Sequence, residues 1–177
     1  YAFTDCEVSV SPNSSIIDGE RPRFMGVSEI LRVNTDHTVA LLKLELEIKL
    51  DELERQWHFS TLEKLFINHE MYIDFKHYSD REALYAYLYD RFKPFKKQLI
   101  REILDEDLHR LTQIPMIRIT RFDADKADDT IAKIEAEMEI VKSNLANLIE
   151  YAIDYYKDLK KRFGEGKERK TELKAFD

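Results

Sequence analysis

The chain has 177 residues, a formal net charge of −7, 44% hydrophobic residues and 36% charged ones. That is too apolar for a disordered chain and suits helices with a wide solvated face, while the acidic balance argues against a dedicated nucleic-acid-binding module, and no run of about 18 apolar residues exists to span a membrane. No glycine lies between Gly26 and Gly164, which excludes hairpin-rich sandwiches and barrels and any Gly-rich phosphate loop.

The first segment is residues 1–34. Cys6-Glu7-Val8-Ser9-Val10 alternates polar and apolar residues and reads as a strand. Ser15-Ile16-Ile17, then Asp18-Gly19, then Arg21 to Met25 reads as a hairpin, with Asp-Gly suited to a type I′ turn. Pro22 marks the return arm as an edge strand, and Ser28 is placed to cap a short helix over 29–33. Cys6 is the only cysteine, so there is no disulfide framework or thiolate metal site, and a reducing cytosolic compartment follows. The chain opens at Tyr1 without Met or a signal-peptide pattern and reads as an excised fragment.

Thr35 or Asp36 then caps a long helix over 35–75. Val39, Leu42, Leu46, Leu50, Leu53 and Trp57 recur at steps of three and four, and Leu62, Leu65 and Phe66 continue the stripe. Forty helical residues reach roughly 60 Å, so this rod would project. Residues 76–130 carry shorter helices. Ser79-Asp80-Arg81-Glu82 opens one with the apolar face Leu84, Tyr85, Leu88 and Tyr89. Pro94 starts or bends the next, through Phe95, Leu99, Ile100 and Ile103. Asp105-Glu106-Asp107 precede Leu108, Leu111 and Ile114, as acids in a first turn suit the helix dipole. Pro115 interrupts, and Met116, Ile117, Ile119 and Phe122 follow.

Residues 131–177 hold the clearest periodicity. Ile131, Ile134, Met138, Val141, Leu145, Leu148, Ala152, Tyr155 and Leu159 alternate steps of three and four, the mean period of a left-handed coiled coil. The helix is expected to run unbroken to Phe163-Gly164, with glycine as its cap. The fold class is therefore mainly α: an antiparallel two-helix coiled-coil arm, a small helical knob at its tip and a short N-terminal β-hairpin. The expected seam is Val39, Leu42, Leu46, Leu53 and Trp57 against Ile134, Met138, Val141, Leu145 and Leu148.

Catalytic chemistry is absent from the pattern. His37, His58, His69, His77 and His109 are scattered, and His69-Glu70 lacks a second ligand because Ile73 stands where the zinc-protease motif needs His. Asp105, Glu106 and Asp107, and likewise Asp123, Asp125, Asp128 and Asp129, read as helix-start acids before metal ligands. Tyr85, Tyr87 and Tyr89 read as a helix interface before a base-stacking platform. Lys157, Lys160, Lys161, Arg162, Lys167, Arg169 and Lys170 form a basic end, suited either to the helix dipole or to phosphate contact.

Three stretches together resemble one family. Phe163-Gly164-Glu165-Gly166-Lys167-Glu168-Arg169-Lys170-Thr171-Glu172-Leu173 is similar to the end of the long returning helix in bacterial gyrase and topoisomerase IV A subunits. Met116-Ile117-Arg118-Ile119-Thr120-Arg121-Phe122 resembles the Met-Arg-Leu-x-Arg-Leu-Thr stretch before that helix. Leu46-Glu47-Ile48 through His58-Phe59-Ser60-Thr61-Leu62-Glu63-Lys64-Leu65-Phe66-Ile67 resembles the opening rod in its topoisomerase IV form, and Tyr1-Ala2-Phe3-Thr4-Asp5-Cys6 the end of the preceding shoulder. The chain departs from the pattern at Ile114-Pro115-Met116, where the family has Leu-Asp-Met, and at Gly166, which interrupts the charged run. Arg118 and Arg121 keep the family's basic spacing only in outline.

The resemblance implies the exit gate of an ATP-dependent type IIA DNA topoisomerase, an isomerase that passes one duplex through a transient double-strand break. Residues 1–34 would end the shoulder, 35–75 form the outgoing helix, 76–130 the dimerising knob, and 131–177 the returning helix and basic tail. It implies a homodimer through Leu108, Leu111, Met116, Ile117, Ile119, Thr120 and Phe122, and DNA contact at Lys167, Arg169 and Lys170. The nucleophilic tyrosine of the family lies upstream, so this fragment would carry no catalytic residue, cofactor or metal. ATP and magnesium belong to the B subunit, which would be its partner beside double-stranded DNA, in the cytoplasm and with no membrane. Without the resemblance, the pattern fits a coiled-coil adaptor or chaperone-like arm, or an RNA-binding arm.

Overall fold

The computed structural model describes residues 14–168, 170 and 171. The strand expected over 6–10, the stretch 1–6 that resembles a shoulder, Arg169 and residues 172–177 lie outside them. In chain order the elements are β1 (Ser15–Asp18), β2 (Arg21–Phe24), α1 (Val27–Asn68), a 3₁₀ turn (Ile73–His77), α2 (Arg81–Phe92), a second 3₁₀ turn (Lys93–Gln98), α3 (Asp105–Thr112), α4 (Met116–Thr120), α5 (Ala124–Ala146) and α6 (Leu148–Phe163). The protein is mainly helical with a two-strand hairpin. It divides into two compact units, residues 1–44 with 152–177, and residues 45–151.

In the first unit, β1 and β2 pair antiparallel with Asp18 opposite Arg21. The turn is therefore Gly19-Glu20, not the expected Asp18-Gly19. Gly19 takes φ +65 while Glu20 stays at negative φ, the type II′ pattern instead of type I′. Pro22 sits opposite Ile17, tolerated because both strands of a two-stranded sheet are edges. Among the described residues of this unit, Met25, Leu42 and Ala152 are the buried apolar ones. α6 ends as its sequence suggests. Gly164 donates its N–H to the Lys160 carbonyl at 2.8 Å, and a Cβ on Gly164 would stand 2.4 Å from that same oxygen, so only glycine fits.

α1 is one helix of 42 residues where the sequence suggests two. The Gly26 carbonyl accepts from Glu29 and Ile30, both at 3.0 Å, which puts Ser28 inside the first turn. Thr35 is no cap: its hydroxyl donates back to Leu31 O at 2.8 Å, as Thr38 does to Asn34 O. Turning the hydroxyl inward this way satisfies it without ending the helix.

α1 also stops at Asn68, short of the expected 75. Glu70 takes φ +51, its N–H donates to Ile67 O at 3.0 Å, and Met71 N–H donates to Phe66 O at 3.0 Å. These are the paired bonds of a Schellman cap, with glutamate in the left-handed position that glycine usually holds. Met71 and Phe66, the flanking hydrophobic pair, are both buried. The apolar spacing carries on past the cap because the chain folds back into the same core. Tyr72 and Phe75 place their rings 6.0 and 5.7 Å from that of Phe66.

Two apolar clusters organise residues 45–151. One gathers Leu62, Phe66, Met71, Tyr85, Leu88, Phe92, Ile103, Leu108 and Leu111 from α1, α2, α3 and their connections. The other joins Leu46 and Leu53 of α1 to Met138 and Val141 of α5, with Leu50, Trp57, Ile134, Leu145, Leu148 and Tyr151 packed around them. Polar pairs run antiparallel along the two helices. Lys64 bonds Asp128, Trp57 Nε1 donates to Glu135 at 2.8 Å, and Glu45, Leu46 and Lys49 share a groove with Glu137, Ile140, Val141 and Asn144.

α5 begins at Ala124, seven residues before the periodic run, because the Asp123 carboxylate accepts from the N–H groups of Asp125 and Lys126. The expected unbroken helix is interrupted once. Asn147 lies between α5 and α6 at φ −115 and ψ 45. Its side-chain amide donates to Ser143 O at 3.1 Å, beside its own N–H at 3.0 Å. Asparagine offers the backbone a local alternative to the helix. Leu145 and Leu148 still reach the same cluster, so the spacing shows no trace of the break.

Candidate functional site

The knob residues expected at a dimer contact divide by which way they face. α3 opens at Asp105 after Leu104, whose N–H donates to Asp107 Oδ2 at 3.0 Å. This start aims Leu108 and Leu111 inward, and they are 0% and 1% exposed in the chain's own core. Pro115 then serves as the N-cap of α4, extended at ψ 144, and its carbonyl accepts from Arg118 at 2.9 Å and Ile119 at 3.3 Å. α4 is short enough that one side tucks in and the other faces out. Ile119 and Phe122 pack on the core, while Met116 and Ile117 stand 63% and 59% exposed and Thr120 is exposed.

An ion pair holds this arrangement. Arg118 pairs with the buried Glu63 of α1: its Nη2 donates to Oε2 at 2.8 Å, and its Nε stands 2.6 Å from Oε1, a charge-assisted contact of the stronger kind. Beside α4 a cavity of about 470 Å³ is lined by Tyr72, Ile73, Phe75, Leu111, Ile114, Met116 and Ile119 among others. Ile73 is exposed on its rim. Met116 and Ile73 thus form an apolar rim on a charged protein, with an open cavity next to it, while the exposed Ile117 lines a separate cavity with Arg118, Arg121 and Asp123.

Behind α3 lies a polar cluster that sequence reading passed over. Arg101 holds Asp107 in a two-bond fork, Nη1 to Oδ2 at 2.7 Å and Nη2 to Oδ1 at 2.8 Å. Burial works to raise the Asp107 pKa, but the Arg101 hydrogen bonds, the Leu104 N–H and the Arg101 charge outweigh it and hold the carboxyl below its usual range. His58 of α1 is 1% exposed, its Nε2 lies 3.6 Å from Asp107 Oδ2, and neither ring nitrogen makes a hydrogen bond among the described residues. Burial, then the Arg101 charge, lower its pKa below 6.5 against the pull of Asp107, which favours the uncharged ring. The signal available in the sequence was His58 on the inward stripe of α1, one residue after Trp57.

The tyrosines are tied to the knob. Tyr85 is buried. Tyr87 donates to Asp74 at 2.8 Å and Tyr89 to Asp105 at 2.8 Å. Burial and that carboxylate push the Tyr89 pKa up to about 12, and burial and Asp74 raise that of Tyr87. They brace loops to α2. Among the described residues, no three His, Cys, Asp or Glu side chains gather as a metal site.

Of the expected seam, Leu46, Leu53, Trp57, Ile134, Met138, Val141, Leu145 and Leu148 come together in one cluster. Val39 and Leu42 belong to the other compact unit. Lys167 and Lys170 are exposed, and Arg169 lies outside the described residues.

The family model for the A subunits of DNA gyrase and topoisomerase IV matches residues 1–157. The A subunit of DNA topoisomerase 4 from Borreliella burgdorferi is 26% identical over 173 residues, which cover 98% of this chain and 28% of that protein. The chain thus spans little more than a quarter of the length of that relative.

Proposed function

This chain belongs to the family of DNA gyrase and topoisomerase IV A subunits, and from that premise we propose that it forms the exit gate of a type IIA DNA topoisomerase. The observation that carries the reading is the outward apolar face of α4. Exposed Met116 and Ile117, Met116 beside an open, mostly apolar cavity, are costly for a monomer in water and suit contact with an identical face across a two-fold axis. In that contact Met116, Ile117 and Thr120 meet the second copy, Ile119 and Phe122 support them, and Leu108 and Leu111 form the floor beneath. A stable contact of this kind buries roughly 800 Å² per partner.

In this reading the whole enzyme is an ATP-dependent isomerase of the cytoplasm. The segment adds no catalytic group to it; the B subunit supplies ATP and magnesium, and Lys167, Arg169 and Lys170 touch double-stranded DNA. A gate needs a contact that closes firmly and can part, and a small apolar face on a short helix meets both needs. The test is the mass in solution. Light scattering at micromolar concentration should give twice the 21.1 kDa of the chain, and a Met116→Asp, Ile117→Asp double variant should give one chain. A monomeric parent protein refutes the reading, and an adaptor arm then replaces it.

A further inference from the structure

From Arg91 to Arg101 the chain carries five cations, Arg91, Lys93, Lys96, Lys97 and Arg101, and no carboxylate, against a net charge of −7 overall. Three of the five are engaged. Lys93 pairs with Asp90 at 2.7 Å, Arg101 with Asp107, and Arg91 donates to the His69 carbonyl at 3.3 Å. The ammonium groups of Lys96 and Lys97 are exposed and have no partner among the described residues.

The backbone displays these lysines in a set geometry. They sit on the 3₁₀ turn Lys93–Gln98, with Pro94 in its first turn. In a 3₁₀ helix side chains three apart eclipse, and the rise is about 2 Å per residue, so Lys93 and Lys96 leave one side of the turn roughly 6 Å apart. Phe95 anchors the turn, its ring 4.4 Å from that of His69 and packed against the core. Phe92, at the turn's start, is wholly buried.

We propose that this turn is a phosphate-contact surface for duplex DNA, formed by Lys96 and Lys97 with Lys93 beside them. The inference rests on the gate reading, in which a duplex passes the knob. Duplex DNA presents a negative charge about every 1.7 Å of its axis, so a turn that displays two neighbouring lysines, Lys96 and Lys97, unpaired among the described residues, finds phosphates in reach at any register. That contact needs no base readout, as suits a duplex of arbitrary sequence in transit. The acidic remainder of the chain repels DNA and confines the contact to this turn and the basic tail.

The experiment titrates a labelled short duplex with the whole chain, with Lys96→Gln/Lys97→Gln, and with Lys133→Gln/Lys142→Gln, which removes equal charge from α5. Each variant is read by fluorescence anisotropy between about 50 and 200 mM salt. Each lost lysine–phosphate contact removes about 0.9 from the slope of log K against log salt. The turn variant should therefore be shallower by about 2 units with weaker binding at low salt, and the α5 variant should match the parent. An unchanged slope in the turn variant, an equal loss in the α5 variant, or parent binding to polyglutamate as tight as to duplex overturns the proposal. Light scattering on the same samples reports the gate separately: a dimer with an unchanged slope sinks only the DNA surface, and a monomer sinks the gate.

Discussion

Glu70→Gly should stabilise this protein, although glycine usually loosens a chain. Glu70 holds φ +51 because Met71 and Phe66 bury together and their backbones are joined across the cap. A left-handed conformation costs an L-residue about 1–2 kcal/mol. Glycine escapes that cost and gives back roughly 0.5–1 kcal/mol in unfolded-state entropy. A further ~0.3 kcal/mol comes from removing an exposed carboxylate at the negative end of α1. The net gain is about 1 kcal/mol, which for a chain of this size raises Tm by roughly 2–4 °C. Glu70→Gln isolates the charge and should gain only the ~0.3 kcal/mol of the dipole contribution. Urea unfolding followed by far-UV circular dichroism, at one protein concentration, measures all three proteins. If glycine does no better than glutamine, the left-handed cap is not where the cost lies and the reasoning fails.

Asp107→Asn should lower stability by about 2–3 kcal/mol, below the 3–5 typical of a broken buried pair because Arg101 can turn partly to water; thermal unfolding should shift down by about 4–12 °C, and a shift within error contradicts the buried fork. Since the folded-state pKa of His58 is lowered below 6.5, the unfolded chain takes up its proton first as pH falls. Stability is therefore full above 6.5 and declines below it until the folded ring itself protonates, with a slope of at most about 1.4 kcal/mol per pH unit from this one proton. His58→Leu should flatten that slope in urea titrations between neutral pH and the carboxylate range, and an identical slope in both proteins would place the proton elsewhere. Gly164→Ala should fray the end of α6 by about 1–2 kcal/mol, because its Cβ would meet the Lys160 carbonyl at 2.4 Å; hydrogen exchange at the Gly164 amide should accelerate, and unchanged protection speaks against the clash.

Composition and spacing determine most of the architecture. A glycine-free stretch with apolar residues every three or four positions can bury a face only as helices, and those steps name the residues that meet. Leu46, Leu53, Met138 and Val141 were legible because a helix must put its apolar stripe against another surface. The hairpin was legible because Gly19 punctuates it. The family was legible from three stretches in order. Periodicity reports which face is buried and is blind to whether each peptide is helical. It therefore ran through the break at Asn147 and past the cap at Glu70, where a turn sends Met71 and Phe75 back into the same core.

Only the tertiary structure decided which apolar residues of the knob face in and which face out. Leu108 and Met116 are alike as hydrophobic residues eight positions apart. The Arg118–Glu63 ion pair and the Pro115 start turn one side of α4 to water, while the Asp107 contacts turn Leu108 to the core. Those pairings join residues 55 and 6 positions apart, and no local spacing encodes them. The lowered pKa of His58 has the same origin, since a pKa depends on what surrounds a group in space, and its neighbours come from α3 and the loop before it.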